Sequence, residues 1–253
     1  MIDKFVIKKN REYKPYLGDN RDVFKKLPND SIDLIITDPP YKDYQSNRPT
    51  YRPKVKKINE SEFDLPYFIC ESARVLKPGG HFYCWCDHQT FPLIVNEITR
   101  LQDAMMSEGG LDYLKYKNCL IWVKNNHGSG DLNGNFAPQH EFIIYASKGK
   151  STNPLNGKRP SNVLFKCEDK NIKFFAKVRN SKYKHGTSKP VEILNILVEA
   201  SSLEGDLVFD PYAGSMSTGE ACVLLGRKHL LAEIDPEFYD IGLERLKKIT
   251  KLE

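Results

Sequence analysis

The stretch Ile32-Asp33-Leu34-Ile35-Ile36-Thr37-Asp38-Pro39-Pro40-Tyr41 constrains this chain more than any other. A short apolar, β-branched run bounded by turn residues reads as a buried parallel strand. The two prolines end it, because neither can donate to a strand ladder. Asp38 and Tyr41 therefore fall at the carboxyl end of a strand, the edge along which open α/β sheets bind their ligands. A bare Pro-Pro after a strand is a rigid turn and no more; the rest of the chain gives this one its meaning.

Strand and helix signals alternate around it. Tyr16-Leu17-Gly18-Asp19 ends a short strand, and Asp19 suits the N-cap of a helix from Asn20 to Leu27. Residues 61–76 have the spacing of an amphipathic helix stopped by Lys77-Pro78-Gly79-Gly80. His81–Cys86, Lys117–Val123, Glu141–Ala146, Leu207–Asp210 and Lys228–Ile234 read as strands. Thr90–Met106, Val191–Ala200 and Pro236–Leu252 read as helices, with Pro190 where a first turn tolerates it. The alternation predicts an α/β, doubly wound, mostly parallel sheet. With 253 residues, 40% of them hydrophobic, one large domain has a sizeable core. No apolar run approaches membrane-span length and the start lacks a signal-peptide core, so no membrane partner and a cytoplasmic setting are expected. The six cysteines have no zinc-ligand spacing, so no metal is expected; Cys84 and Cys86 flank Trp85 and should share one face.

Charge is unevenly spread. The formal net charge of the whole chain is +5, yet Ser147–Lys189 holds twelve Lys and Arg residues against Glu168 and Asp169. Phe165, Phe174, Phe175 and Tyr183 are interleaved there, the footprint of a lobe facing nucleic acid. A second basic stretch, Lys42 to Lys57, reads as an exposed loop beside the Pro-Pro turn, suited to phosphate contact or to covering the site. Candidate nucleic-acid contacts are Arg48, Arg52, Lys54, Lys158, Arg159, Lys173, Lys177, Arg179 and Lys182.

The other informative stretch is Asp210-Pro211-Tyr212-Ala213-Gly214-Ser215-Met216-Ser217-Thr218-Gly219, between a strand and a helix. Small residues let a cofactor approach the backbone, and the helix start offers N–H groups to an anion. Glu233 ends the next strand, where an acid reaches ribose hydroxyls. The G-x-G-x-x-G pattern is absent, which disfavours a nicotinamide or flavin cofactor.

Asp38-Pro39-Pro40-Tyr41 early, a basic insert in the middle and Asp210-Pro211-Tyr212-Ala213-Gly214-Ser215 late resemble the S-adenosylmethionine-dependent DNA amino-methyltransferases. The order is that of the β-group, with the catalytic motif first and the cofactor loop last. Gly18-Asp19, Leu76-Lys77-Pro78-Gly79-Gly80, Trp122-Val123-Lys124 and His185-Gly186-Thr187-Ser188-Lys189-Pro190 extend the resemblance from Tyr16 to Lys247. It implies a circularly permuted, Rossmann-like methyltransferase sheet. Residues 1–146 and 185–253 would form the catalytic and cofactor-binding domain, and 147–184 the target-recognition insert. It implies S-adenosyl-L-methionine as cofactor and double-stranded DNA as substrate, in a prokaryotic or phage-encoded setting. A homodimer and a cognate restriction endonuclease stay open as partners.

Carried over by resemblance, Asp38, Pro39, Pro40 and Tyr41 are the catalytic residues. Asp210, Gly214, Ser215 and Thr218 line the methionine end of the cofactor, and Pro211 and Ala213 of the same stretch are cofactor-binding. Glu233 holds the ribose, Asp19 lies near the adenine, and Lys189 and Pro190 close over the cofactor from the other side. Asp before Pro-Pro-Tyr favours adenine as the target; cytosine N4, an RNA methyltransferase and a non-catalytic DNA-binding relic are the alternatives. One departure stands out. The family has glycine where this chain has Met216, and a left-handed backbone there would cost about 1–2 kcal/mol.

Overall fold

In the computed structural model, Ile32–Thr37 is a strand (β2) in the middle of the main sheet. The structure describes residues 15–40, 63–127, 134, 136–150, 152–157, 159–168, 171–176 and 188–250. In chain order the other strands are β1 (Tyr16–Leu17), β3 (Leu76–Cys86), β4 (Leu114–Val123), β5 (His140–Lys148), β6 (Val163–Leu164), β7 (Lys166–Glu168), β8 (Asn171–Lys173), β9 (Leu207–Asp210) and β10 (Lys228–Glu233). The helices are α1 (Asn20–Phe24), α2 (Leu65–Val75), α3 (Thr90–Ser107), α4 (Val191–Ser201), α5 (Ser217–Leu224) and α6 (Pro236–Thr250). Eight strands form the main sheet in the order β1-β10-β9-β2-β3-β5-β4-β6. β5 runs antiparallel to both of its neighbours, and the remaining pairings are parallel.

The two-residue side-chain period of a strand divides the core between the two faces. Ile32, Ile35, Phe82, Cys84, Cys86 and Phe209 pack on one face with Phe68, Ile69, Ile94 and Ile98. Leu34, Ile36, Tyr83, Trp85 and Val208 pack on the other with Leu194, Leu197 and Val198. Cys84 and Cys86 do share a face. The doubly wound, mostly parallel sheet read from the alternation is the observed fold.

Several boundaries differ from expectation: α1 ends at Phe24 rather than Leu27, β4 starts at Leu114 rather than Lys117, and β5 runs on to Lys148. α2 begins at Leu65, capped by Asp64, whose carboxylate accepts the Tyr67 N–H at 3.0 Å. The helix does stop before Lys77-Pro78-Gly79-Gly80, ending at Val75, and those four residues open β3. There the register jumps from Ile32↔Leu76 to Leu34↔His81, a bulge in which Pro78 need not donate and Gly79 takes φ +77°. The Asn153 N–H donates to the Gly79 carbonyl at 3.0 Å. The first part of the basic segment is also fastened to the main sheet: β6 pairs with β4, and the Asn156 amide donates to the carbonyls of Glu199 and Ser202. β7 and β8 form a separate two-stranded sheet, and the Trp122 indole N–H donates to the Phe175 carbonyl at 3.1 Å.

Met216 does adopt the left-handed backbone, at φ 57°, ψ 36°, immediately before α5. Its side chain is fully buried with Ala213, Leu231, Tyr239 and Leu246. Burial of a methionine side chain contributes about 1.5–3 kcal/mol, enough to offset the backbone cost. The space it fills is left by Gly242 on α6, where a Cβ would overlap the Met216 thioether. Glycine in a helix interior costs about 1 kcal/mol relative to alanine, so Gly242→Ala should stabilise an unencumbered helix. Here it should instead destabilise by about 1–3 kcal/mol through overpacking. Combined with Met216→Ala, it should cost less than the sum of the single changes when denaturation midpoints are compared.

Burial pushes the His229 imidazole down to about 4. The unfolded chain takes up that proton near the ordinary histidine value and the folded chain does not. Stability is therefore lost as pH falls from about 6.5 towards 4, by on the order of 3 kcal/mol for this residue. Urea titrations of the wild type and His229→Gln should diverge in pH slope over that window; parallel slopes would refute the assignment.

Candidate active site

Asp38 follows β2 and Asp210 ends β9. These strands are parallel neighbours, with Leu34 opposite Val208 and Ile35 opposite Phe209. The pairing carries both carboxylates to one edge of the sheet, close enough for Asp38 to raise the proton affinity of Asp210. Pro39 is buried and Pro40 half-buried. Tyr41 lies outside the described residues.

Lys189 reaches Asp38 at this edge. Its ammonium sits 2.7 Å from Asp38 Oδ2 and 3.0 Å from Glu141 Oε2, and Lys124 Nζ holds Glu141 Oε1 at 2.8 Å. Burial alone would raise Glu141, but Lys189 and Lys124 hold it down to about 2. Burial would lower Lys189, but Asp38 and Glu141 carry it above its ordinary value. Glu141 and Lys189 therefore stay charged across the neutral range. Sequence reading missed Glu141 as a site residue. The available signal was a carboxylate opening the apolar strand Glu141-Phe142-Ile143-Ile144, where an unpaired charge would be costly.

The loop after β9 is held from several sides. Asp210 accepts the Thr218 hydroxyl at 2.7 Å and the Tyr212 N–H at 3.1 Å. Burial, with Asp38 adding to it, pushes Asp210 up to about 7 against those two donors. Pro211 accepts the Asn20 amide at 3.0 Å, and the Ala213 N–H donates to the Ala232 carbonyl. Glu233 accepts the Gly214 N–H on one oxygen at 2.7 Å and the Asp235 N–H on the other at 2.8 Å. Burial raises its proton affinity, and those N–H groups oppose the rise. The Gly18 N–H donates to the Glu233 carbonyl, which sets Asp19 beside the same strand end. Asp19 caps α1 and pairs with Arg21, whose hydrogen bonds hold its carboxyl below the usual range. Ser188 and Ser215 join hydroxyls at 2.9 Å beneath the buried Arg245 of α6, which sequence reading also missed.

The edge therefore gathers Asp19, Asp38, Pro39, Lys189, Asp210, the 211–218 loop and Glu233. Pro190 caps the start of α4 next to Lys189. Of the candidate nucleic-acid contacts, Arg159 is exposed and Lys173 lies in β8. Arg48, Arg52, Lys54, Lys158, Lys177, Arg179 and Lys182 lie outside the described residues.

Comparison with known proteins identifies the family. A DNA methylase family model, N6_N4_Mtase, matches residues 32–244. Type II methyltransferase M.HpaI of Haemophilus parainfluenzae is 30% identical over 88% of this chain and 71% of its own length. DNA adenine methyltransferase YhdJ of Escherichia coli (strain K12) is 29% identical over 90% of this chain and 81% of its own. Among solved structures, the M1.HpyAVI–SAM complex superposes with a TM-score of 0.63 at 24% identity, covering 92% of this chain and 99% of that one. The cytosine-N4-specific PvuII DNA methyltransferase superposes with a TM-score of 0.63 at 19% identity, covering 94% and 90%. With the family match spanning most of its length and the site at the expected sheet edge, the chain belongs to the N6/N4 DNA methylase family.

Proposed function

We propose that the chain moves a methyl group from S-adenosylmethionine to the exocyclic N6 of adenine in double-stranded DNA, with the target base turned out of the helix. The observation that carries this reading is the meeting of Asp38-Pro39 with the Asp210 loop at the ends of adjacent central strands. Adenine rather than cytosine is supported by Asp before Pro-Pro-Tyr and by the adenine methyltransferase name of the YhdJ relative. The type II name of M.HpaI makes a cognate restriction endonuclease the partner to look for.

The donor supplies an electrophilic methyl group on a sulfonium, and the residues present suit it. Asp210 is a buried carboxylate answered only by neutral donors among its printed hydrogen bonds, and its raised proton affinity reflects that. A cationic ammonium is the partner such a group accepts. Gly214 and Ser215 would frame the methionine end. Each Glu233 oxygen keeps acceptor capacity beyond its backbone N–H, so it can still take ribose hydroxyls.

The amino nitrogen of adenine is a poor nucleophile because its lone pair is delocalised into the ring. Two acceptors aimed at its hydrogens, an Asp38 carboxylate oxygen and the Pro39 carbonyl, free that lone pair. Prolines restrict the backbone, so the acceptors are set before the base arrives. Lys189 fixes the Asp38 carboxylate by one oxygen. Tyr41 is assigned the flat face on which the base stacks.

Asp38→Ala should lower methyl transfer by about a hundredfold or more, the scale of removing a preorganised polar group from a reacting centre. Labelled-cofactor incubation with DNA followed by nucleoside mass analysis reads this and separates N6-methyladenine from N4-methylcytosine. An undiminished variant would sink the reading. Asp210 gives a second expectation. Its protonated form cannot pair with an ammonium, so cofactor affinity should weaken about tenfold per pH unit below about 7 and level off above it. Calorimetry across that range should show the slope in the wild type and none in Asp210→Asn.

A further inference from the structure

Arg245 is the least explained charge in the fold. It lies on α6 and is 2% exposed, where a guanidinium persists only with several good partners. Glu220 of α5 neutralises it, Nε to Oε2 at 2.8 Å. Arg245 Nη1 also reaches two serines. Nη1 donates to the Ser215 carbonyl at 2.9 Å, to Ser215 Oγ at 3.2 Å and to Ser188 Oγ at 3.3 Å. Ser215 belongs to the loop assigned to the cofactor. Ser188 immediately precedes Lys189, whose ammonium lies 2.7 Å from Asp38. Arg245 thus braces, together with the direct Ser188–Ser215 hydroxyl contact at 2.9 Å, the junction between the loop assigned to the cofactor and the segment that anchors the base-side carboxylate.

We infer that Arg245 is a positioning residue for methyl transfer: by tying Ser215 to Ser188 it sets Asp38, through Lys189, relative to the cofactor loop. This rests on the methyl-transfer reading above. Lysine keeps the charge for Glu220 but has no planar fork, so it cannot serve Glu220 and both serines in this geometry. Misplacing reacting groups by a fraction of an ångström slows chemistry without changing DNA affinity.

The test is steady-state methylation of DNA by the full chain, with cofactor and DNA both saturating. Arg245→Lys should lower kcat about tenfold, the scale of losing a hydrogen bond from a charged donor, and leave KM for DNA unchanged. Ser188→Ala should lower kcat several-fold. The double variant should fall short of the product of the two single effects, because both changes remove the Arg245–Ser188 contact. Saturating kcat unchanged in Arg245→Lys, or single effects that multiply in the double variant, would overturn the inference and leave Arg245 a packing residue. If Arg245→Lys does not fold, Ser188→Ala decides: an undiminished kcat overturns the inference. A wild type that transfers no methyl group to DNA is a separate outcome and removes the methyl-transfer reading itself, and the inference with it.

Discussion

The fold depends on the parallel pairing of β2 with β9. These strands come from opposite ends of the chain, and every functional contact described here is hung on their junction. β2 delivers Asp38 and Pro39; β9 delivers Asp210 and the loop after it. The pairing is held by residues with no chemistry of their own. Ile35 and Phe209 face one core, Leu34 and Val208 the other. A slip of one residue would exchange the two faces and carry the carboxylates apart, so the hydrophobic pattern fixes the active-site geometry as well as the sheet.

Around that junction the chain accepts local strain where packing can hold it. Met216 keeps the left-handed backbone that glycine would take more easily, because its side chain is locked against α6 at Gly242. The glycine has in effect moved from the loop to the helix that covers it. The same helix contributes Tyr239, whose hydroxyl donates to the Pro15 carbonyl, and Arg245, which reaches the Ser215 carbonyl. α6 therefore braces the loop after β9 from behind, through Gly242 against Met216 and through Arg245 to Ser215.

The parts of this arrangement legible in the sequence were those with a local signature. The buried run into Asp38, the small-residue turn after Asp210 and the alternation of elements each have a period or a turn chemistry that survives without tertiary knowledge. Gly79 and Gly80 were read only as a helix stop, and the helix does end just before them; the strand bulge they also form was not legible, because it uses the same residues as a helix terminus. Lys189 was placed on the cofactor, and only the fold reveals its contact with Asp38 and Glu141. Glu141 and Arg245 could not be assigned by spacing, since their partners lie 48 and 57 residues away in the chain, at Lys189 and Ser188. Long-range polar contacts leave no periodic trace.

The carboxylates of the site divide by how their charge is met. On the side assigned to the base, Asp38 and Glu141 are paired with lysines, and Glu141 is driven far below its ordinary value. On the side assigned to the cofactor, Asp210 and Glu233 are met by hydroxyl and backbone N–H donors, and burial raises both. The first arrangement suits an acceptor that must stay ionised while it polarises an amino group. The second suits a site completed by its ligand, because a buried carboxylate held by neutral donors gains most from an arriving cation or hydroxyl. The two halves thus place opposite demands on one short edge of sheet. Lys189, lying between Asp38 and Glu141 and adjacent to Ser188 at the cofactor loop, is where the two demands meet.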